Sequence, residues 1–182
     1  VVVNTHPHID HLSGLIPVAN KLDPQVAIDN GRVYLNSAYD QWRVLVADES
    51  VRHLSFQRVR KVMAANQKTR VQIIQPMDSG AASLNDSCLV TKVAWGPWSI
   101  LLTGDLEADG IRALLLSGYD LSADVLQIPH HGAANRYLAS LIDAVNPKLA
   151  FISVGYNHFG HPASSTLRTL EQKGVPVLRT DL

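Results

Sequence analysis

The most informative residues of the chain lie close to its start, in Thr5-His6-Pro7-His8-Ile9-Asp10-His11. They follow the predicted strand Val1–Asn4. His6 and His8 alternate along the chain, so both can reach one divalent ion. Asp10 and His11 are adjacent and would face a second ion. Imidazole and carboxylate ligands suit Zn²⁺, Mn²⁺ or Fe, whereas Mg²⁺ and Ca²⁺ prefer all-oxygen sites. The segment therefore indicates a metal site.

Further histidines and a carboxylate also follow predicted strands. These are Asp105 after Trp98–Thr103, His130 and His131 after Val125–Ile128, and His158 and His161 after Leu149–Val154. Ligands of open α/β sheets bind beyond the carboxyl ends of the strands, so one rim can collect these side chains. Two ions about 3.5–4 Å apart need a bridging ligand such as Asp105, and together they lower the pKa of a bridging water.

Alternating strands and helices over the rest of the chain predict an α/β layered sheet. The predicted helices are Gly14–Leu22, Ser37–Val46, Ser50–Ala65, Ile111–Leu116, Tyr137–Val145 and Leu167–Lys173. Further strands are predicted at Val71–Ile74 and Val175–Leu178, and a hairpin of Cys88–Ala94 with Trp98–Thr103. The regions Asp23–Gly31 and Asp78–Asp86 are predicted loops because they are rich in turn-forming residues.

Length and composition predict one α/β domain over residues 1–182. The 16 basic and 16 acidic residues cancel, which argues against a generally basic protein that coats nucleic acid. No apolar run approaches the 18 or so residues of a membrane span. A single cysteine, Cys88, excludes an internal disulfide. The chain begins and ends abruptly in strands, so we expect a fragment truncated at both ends, and we assign neither a compartment nor an oligomeric state.

At this point the sequence shows a resemblance to a known family. The pattern His-x-His-x-Asp-His followed by Gly14-Leu15 resembles the signature of metallo-β-lactamase-fold hydrolases. The blocks downstream narrow the resemblance to the subfamily that contains the hydrolase domain of bacterial DNA-uptake (competence) proteins, its stand-alone relatives and the phosphorylcholine esterases. Those blocks are Asn85–Val90, Leu101–Asp105, Ala123–Gly132 and Gly160–Pro162. The resemblance implies an αββα sandwich.

The resemblance also implies a two-metal site. His6 and His8 would hold the first ion, Asp10 and His11 the second, and Asp105 would bridge the two. His131 is favoured as a further ligand of the second ion. His130 would then support its neighbour or face the substrate, although the two histidines could be exchanged.

His161 stands where other branches of the fold have a last histidine, so it is either a competing ligand or an acid on the substrate side. With Asp10 and His130 it completes the predicted catalytic set. Two departures from the family pattern concern the site. The block Asn85–Ser87 lacks a histidine ligand found in many members, which predicts a weaker or more open first site. Ala133-Ala134-Asn135 lacks a serine common in this branch.

Simpler interpretations accompany these assignments. The segment from His6 to His11 could be a polar capping loop, and Asp105 could merely cap the helix that follows it. His53 is predicted on the exposed face of a helix and His158 in a solvated loop. The three tryptophans are expected to pack in the core or the hairpin.

The predicted function is that of a metal-dependent hydrolase in which a hydroxide activated by two metal ions attacks an ester or phosphodiester. The ions would be zinc, with manganese or iron as alternatives. The substrate would be a small-molecule or nucleic-acid ester. The alternatives are a lactonase, a thioesterase or a β-lactam hydrolase on the same site, or a non-catalytic, metal-containing module that binds DNA.

Overall fold

The structure is a computed structural model that describes residues 1–56, 61–65, 68–76 and 83–182. Its strands are β1 (Val2–Asn4), β2 (Val26–Asp29), β3 (Arg52–Ser55), β4 (Lys61–Ala65), β5 (Thr69–Ile74), β6 (Val90–Trp95), β7 (Trp98–Leu102), β8 (Val125–Gln127), β9 (Leu149–Ile152) and β10 (Val177–Arg179). Its helices are α1 (Ile9–Leu12), α2 (Leu15–Leu22), α3 (Ser37–Val46), α4 (Ala108–Leu116), α5 (Leu138–Val145) and α6 (Ser164–Gln172). A short 3₁₀ helix spans His130–Gly132.

The strands form two sheets. The smaller sheet is parallel, in the order β1-β2-β3. The larger has the order β10-β9-β8-β7-β6-β5-β4. Its β4 to β7 part is antiparallel, and its β7 to β10 part is parallel. Helices α4, α5 and α6 each connect two of the parallel strands, as parallel pairing requires.

Three apolar clusters show how the layers stack. One packs the small sheet against α1, α2 and α3, with Trp42 at its centre. A second lies between the sheets, where Ile28 and Phe56 meet Ile73 and Leu89. The third and largest packs the parallel half of the large sheet against α4, α5 and α6. The order helix, sheet, sheet, helix is the αββα sandwich, so the predicted fold class is confirmed.

Several predicted elements agree closely with the structure. The helix predicted at Ser37–Val46 has those bounds, and its N-cap Asn36 accepts a hydrogen bond from the Tyr39 amide. The predicted hairpin is confirmed as β6 and β7, which pair in register from Thr91 with Leu102 to Trp95 with Trp98. Among the described residues, none of the helices has the length and apolar character needed to cross a membrane.

The helix predicted at Ser50–Ala65 is wrong. The described part of this region contains the strands β3 and β4 instead. Its apolar residues recur at roughly helical spacing, but β3 is short and takes its conformation from pairing with β2. His53 is exposed as predicted, but it lies in β3 rather than on a helix, and its ring nitrogen Nε2 lies 2.8 Å from the buried carboxylate of Asp29.

The loop predicted at Asp23–Gly31 is also wrong, because it contains the strand β2. Its turn-forming residues flank the strand rather than fill it: Pro24 precedes β2, and Asn30 and Gly31 follow it. The predicted polar loop Thr5–His11 includes the start of the short helix α1. Most of the loop predicted at Asp78–Asp86 lies outside the described residues.

Candidate metal centre

The candidate centre lies where the carboxyl ends of strands from both sheets meet. The loop after β1 carries the first histidines, and the loops after β7, β8 and β9 carry the remaining candidates. Backbone hydrogen bonds hold these loops together. The Leu89 amide donates to the Thr5 carbonyl at 3.0 Å, and the His130 amide donates to the Gly104 carbonyl at 3.1 Å. The fold thus brings to one place residues that are far apart in sequence.

Two groups of side chains there could hold a metal ion. Asp10, His11, Asp105 and His131 form one, and His6, His8 and Asp105 the other. Within each group, one ligand atom per residue lies within 4.8 Å of all the others. Asp105 belongs to both groups, so its carboxylate occupies the shared position.

Distances within the centre show how closely the ligand atoms converge. Asp105 Oδ2 lies 3.1 Å from Nε2 of His11 and 3.5 Å from Nε2 of His131. It lies 3.9 Å from Nε2 of His6, and that nitrogen is 3.0 Å from Nδ1 of His8. Nε2 of His131 is also 3.3 Å from Oδ2 of Asp10. One carboxylate oxygen therefore lies near three imidazole nitrogens.

Unsatisfied polar atoms test whether these residues fit a metal ion. Nε2 of His11, Nε2 of His131 and Oδ1 of Asp105 are inaccessible to solvent, and among the described residues the close contacts of the two nitrogens with carboxylate oxygens do not have hydrogen-bond geometry. Buried polar atoms normally find a partner, so unsatisfied nitrogen and oxygen atoms at one place require an explanation. Nitrogen and carboxylate atoms directed at a common point are what Zn²⁺, Mn²⁺ and Fe accept as ligands. The donor set fits a divalent transition metal.

Burial and neighbouring charges set the protonation of the centre. Burial, assisted by the neighbouring His11, lowers the pKa of His6 to about 3, so this imidazole is neutral. Contact with His131 lowers the pKa of Asp10 to about 2. Burial opposes ionisation of Asp105, but His11 and His131 hold its pKa well below the ordinary value. The pKa of His131 shifts in the opposite direction, because contacts with Asp10 and then Asp105 raise it to about 10.

The backbone around His131 determines where its ring points. His130, His131 and Gly132 all have positive φ angles of 50°, 53° and 81°. Gly132 packs so closely that an added Cβ would lie 2.7 Å from Cβ of Pro162. Nδ1 of His131 lies 2.7 Å from the Ser153 carbonyl, to which it can donate, and this contact directs Nε2 into the centre.

His130 and His161 lie beside the two groups rather than within them. Nε2 of His130 is 4.0 Å from Oδ2 of Asp105, and its Nδ1 is 3.6 Å from the Glu107 carboxylate. The ring of His161 lies 5.6 Å from that of His130, centroid to centroid. Burial, with His130 and His131 nearby, lowers the pKa of His161. His158 is an exposed loop residue whose ring contacts Tyr156.

Two cavities lie next to the His130-His131 pair, and each includes one of the two histidines. One of about 480 Å³ contains His130 and is lined by polar and charged side chains, among them Glu107, Asp109, Asn135 and Arg136. The other, of about 280 Å³, contains His131 with Asp10 and His161 and is bordered by Tyr156 and Phe159. The second cavity includes the candidate metal ligands Asp10 and His131, and the first includes the neighbouring His130.

Two residues that contribute to the site, Glu107 and Asp86, were not predicted from the sequence. Glu107 contacts His130 and accepts a hydrogen bond from Asn85 at 2.9 Å. The buried Asp86 accepts hydrogen bonds from the amides of Glu107 and Gly110, and so anchors the start of α4 next to Asp105. The only signal available was that Asp86 lies in the Asn85–Val90 block; the contacts themselves connect residues more than twenty positions apart.

The layered fold and the two ligand groups define a class of protein: the chain has the metallo-β-lactamase fold and carries candidate metal ligands. A solved structure of this fold, YhfI from Bacillus subtilis, superposes with a TM-score of 0.56 at 14% identity and covers 99% of this chain and 73% of that one. No model of a protein family matches the chain.

The sequence is also similar to part of several bacterial competence proteins. It is 36% identical over 110 residues to ComE operon protein 3 of Bacillus subtilis (strain 168), which covers 60% of this chain and 14% of that protein. It is 31% identical over 113 residues to competence protein ComA of Neisseria gonorrhoeae, covering 61% of this chain and 16% of that protein. The chain thus spans about one sixth of the length of these relatives.

Proposed function

We propose that the chain is a metal-dependent hydrolase that cleaves phosphodiester or other ester bonds. The observation that carries this proposal is the sharing of Asp105 between two groups of potential ligands. One carboxylate reaching both groups is the arrangement that a pair of ions requires, and it has no evident structural purpose in a protein without metal.

The predicted division of ligands is retained in the proposal. His6 and His8 would hold one ion, and Asp10, His11 and His131 the other, with Asp105 between them. Zinc is the expected metal, and manganese or iron also suit these ligands. Divalent ions supply Lewis acidity and lower the pKa of bound water.

The chain's own residues would orient the ligands and transfer protons. The Ser153 carbonyl fixes the orientation of the His131 ring. His130 and His161 lie at the rim, each beside one of the cavities, where a ring nitrogen can donate a proton to a leaving group. The carboxylate of Asp10 is more than half exposed and ionised at neutral pH, so it can accept a proton as well as bind metal. These positions support the predicted catalytic set.

The relationship with competence proteins supports placing phosphodiesters first among the esters. The fold itself is no guide to substrate, because one fold supports many reactions. A panel of DNA, bis-p-nitrophenyl phosphate, an acyl lactone and nitrocefin separates phosphodiesterase activity from lactonase and β-lactamase activity, and a thioester substrate adds the thioesterase alternative.

The decisive variants are His8→Ala and Asp105→Ala. Each should abolish turnover of the preferred substrate, and Asp105→Ala should also reduce the metal content measured by elemental analysis. Asp143→Ala is a matched control, because this carboxylate is exposed and pairs with Lys173 away from the centre. Far-ultraviolet circular dichroism checks that all variants fold. Unchanged turnover in both centre variants, or purified protein that binds no transition metal, would refute the proposal.

A further inference from the structure

Two aromatic side chains project into solvent from the loop between β9 and α6. Tyr156 is 91% exposed and Phe159 is 84% exposed. Aromatic rings left in water forgo the burial that usually stabilises a fold, so a pair of them beside a cavity indicates a binding surface.

This loop is held in place by its own hydrogen bonds. The Asn157 side chain donates to the carbonyls of Gly155 and His161, at 2.9 and 2.8 Å. Its Oδ1 accepts from the amides of Phe159 and His161, at 3.1 and 3.0 Å. A single side chain thus closes the loop and presents the aromatic residues in a defined position. Such preorganisation reduces the entropy that binding must overcome.

The aromatic residues share their cavity with candidate metal ligands. Tyr156 and Phe159 border the cavity of about 280 Å³ that also contains Asp10, His131 and His161. The ring of Phe159 stacks against that of His161, with an angle of 24° between the planes and centroids 6.0 Å apart. A molecule that occupies this cavity therefore contacts both the aromatic residues and the candidate centre.

We propose that the loop binds a planar aromatic ring carried by the substrate next to its scissile ester, with Tyr156 and Phe159 as the specificity-determining residues. This inference rests on the proposed function. Stacking on aromatic side chains is tolerant of the ring's identity, so either a nucleobase or a small aryl group satisfies it. The Asp10 carboxylate in the same cavity disfavours a purely hydrocarbon occupant such as a lipid chain.

The lining of the cavity of about 480 Å³ differs from that of the aromatic-bordered cavity. This larger cavity is lined by Glu107, Asp109 and Arg136 and includes no aromatic side chain except the imidazole of His130 among the described residues that line it. Of these two cavities, only the one bordered by Tyr156 and Phe159 has a tyrosine or phenylalanine ring among its described lining residues.

The test compares ligands that differ only by a ring. Adenosine 5′-monophosphate and ribose 5-phosphate form one pair, and phenyl phosphate and methyl phosphate the other. Affinities are measured by calorimetry with the chain supplied with Zn²⁺. We expect the ring to improve affinity about tenfold in at least one pair. A gain in the first pair alone identifies a nucleobase, and a gain in both identifies any aryl group.

Tyr156→Ala and Phe159→Ala should each remove most of that gain and leave the affinity for the ringless ligand unchanged. Trp95→Ala is the control, because Trp95 is an exposed aromatic residue on the β6–β7 hairpin. Absence of a ring-dependent gain in both pairs, or a gain that survives in both variants, overturns the inference. The inference is also overturned if the two variants alter only the binding of phosphatidylcholine vesicles. Because these affinities are measured without turnover, failure of the hydrolysis assay can be distinguished from failure of this inference.

Discussion

Replacing Asp86 with alanine should destabilise the chain substantially, although this residue is not a metal ligand. Asp86 is only 6% exposed. Its Oδ1 accepts hydrogen bonds from the amides of Glu107 at 3.0 Å and Gly110 at 2.7 Å. Glu107, the N-cap residue of α4, provides no side-chain cap of its own. The first turn of α4 therefore depends on a carboxylate from a distant part of the chain.

The magnitude follows from these contacts. Asp86→Ala leaves two amides without their acceptor, and each buried unsatisfied group costs about 1–3 kcal/mol. A negative charge at a helix N-terminus contributes a further 0.3–1 kcal/mol or so. We expect the free energy of unfolding to fall by about 3 kcal/mol, which corresponds to about 6–12 °C in Tm for a chain of this size. Asp86→Asn retains an acceptor oxygen and should lose only about 1 kcal/mol.

The assay is urea denaturation followed by circular dichroism, supported by thermal melting. Asp143→Ala serves as the control, because its exposed pair with Lys173 should contribute less than about 1 kcal/mol. The reasoning is refuted if Asp86→Ala unfolds within about 0.5 kcal/mol of the parent chain. Equal losses for Asp86→Ala and Asp86→Asn would show that charge, rather than the hydrogen bonds, is what matters.

Two further predictions concern the small sheet and the candidate centre. Trp42 is buried and donates a hydrogen bond from Nε1 to Oδ2 of Asp29 at 2.9 Å, so Trp42→Phe should lower the free energy of unfolding by about 2 kcal/mol. Urea denaturation measures this loss, and an unfolding midpoint no lower than that of Trp98→Phe, at an exposed position, would contradict it. His131 is protonated below its pKa of about 10 in the metal-free chain, because of its contacts with Asp10 and Asp105. Binding of Zn²⁺ at pH 8 should therefore release about one proton from this residue, and the apparent affinity should rise as pH increases from 7 to 9. Calorimetry in two buffers of different ionisation enthalpy measures the release; equal heats in both buffers would disprove it.

The ligand groups could be predicted because much of their information is local. Four potential ligands lie between His6 and His11, and the spacing alone suggests how they divide between two ions. Asp105 and the His130-His131 pair could be added because each follows a predicted strand, and the carboxyl ends of such strands meet at one edge. The preference for His131 within the pair came from the family resemblance. For these residues, position along the chain is a good guide to position in space.

The wrong helix and the wrong loop have a common cause. The strands β2 and β3 are only four residues long, too short for a two-residue alternation to be recognised. Both belong to a parallel sheet, whose pairing partners are distant in sequence. The contact of His53 with Asp29 depends on that pairing and could not be predicted from a helical pattern.

By itself, the sequence determined that this is a layered α/β protein with a histidine-rich rim, since strand order and ligand spacing are encoded in short segments. Only the tertiary structure decided which imidazole of the His130-His131 pair turns inward. That choice depends on three successive left-handed backbone conformations and on the Ser153 carbonyl, which come together only when β8 and β9 pair. The fold likewise decided that Tyr156 and Phe159 border the same cavity as Asp10. Asp10 follows β1 of the small sheet, whereas the loop with the two aromatic residues follows β9 of the large sheet.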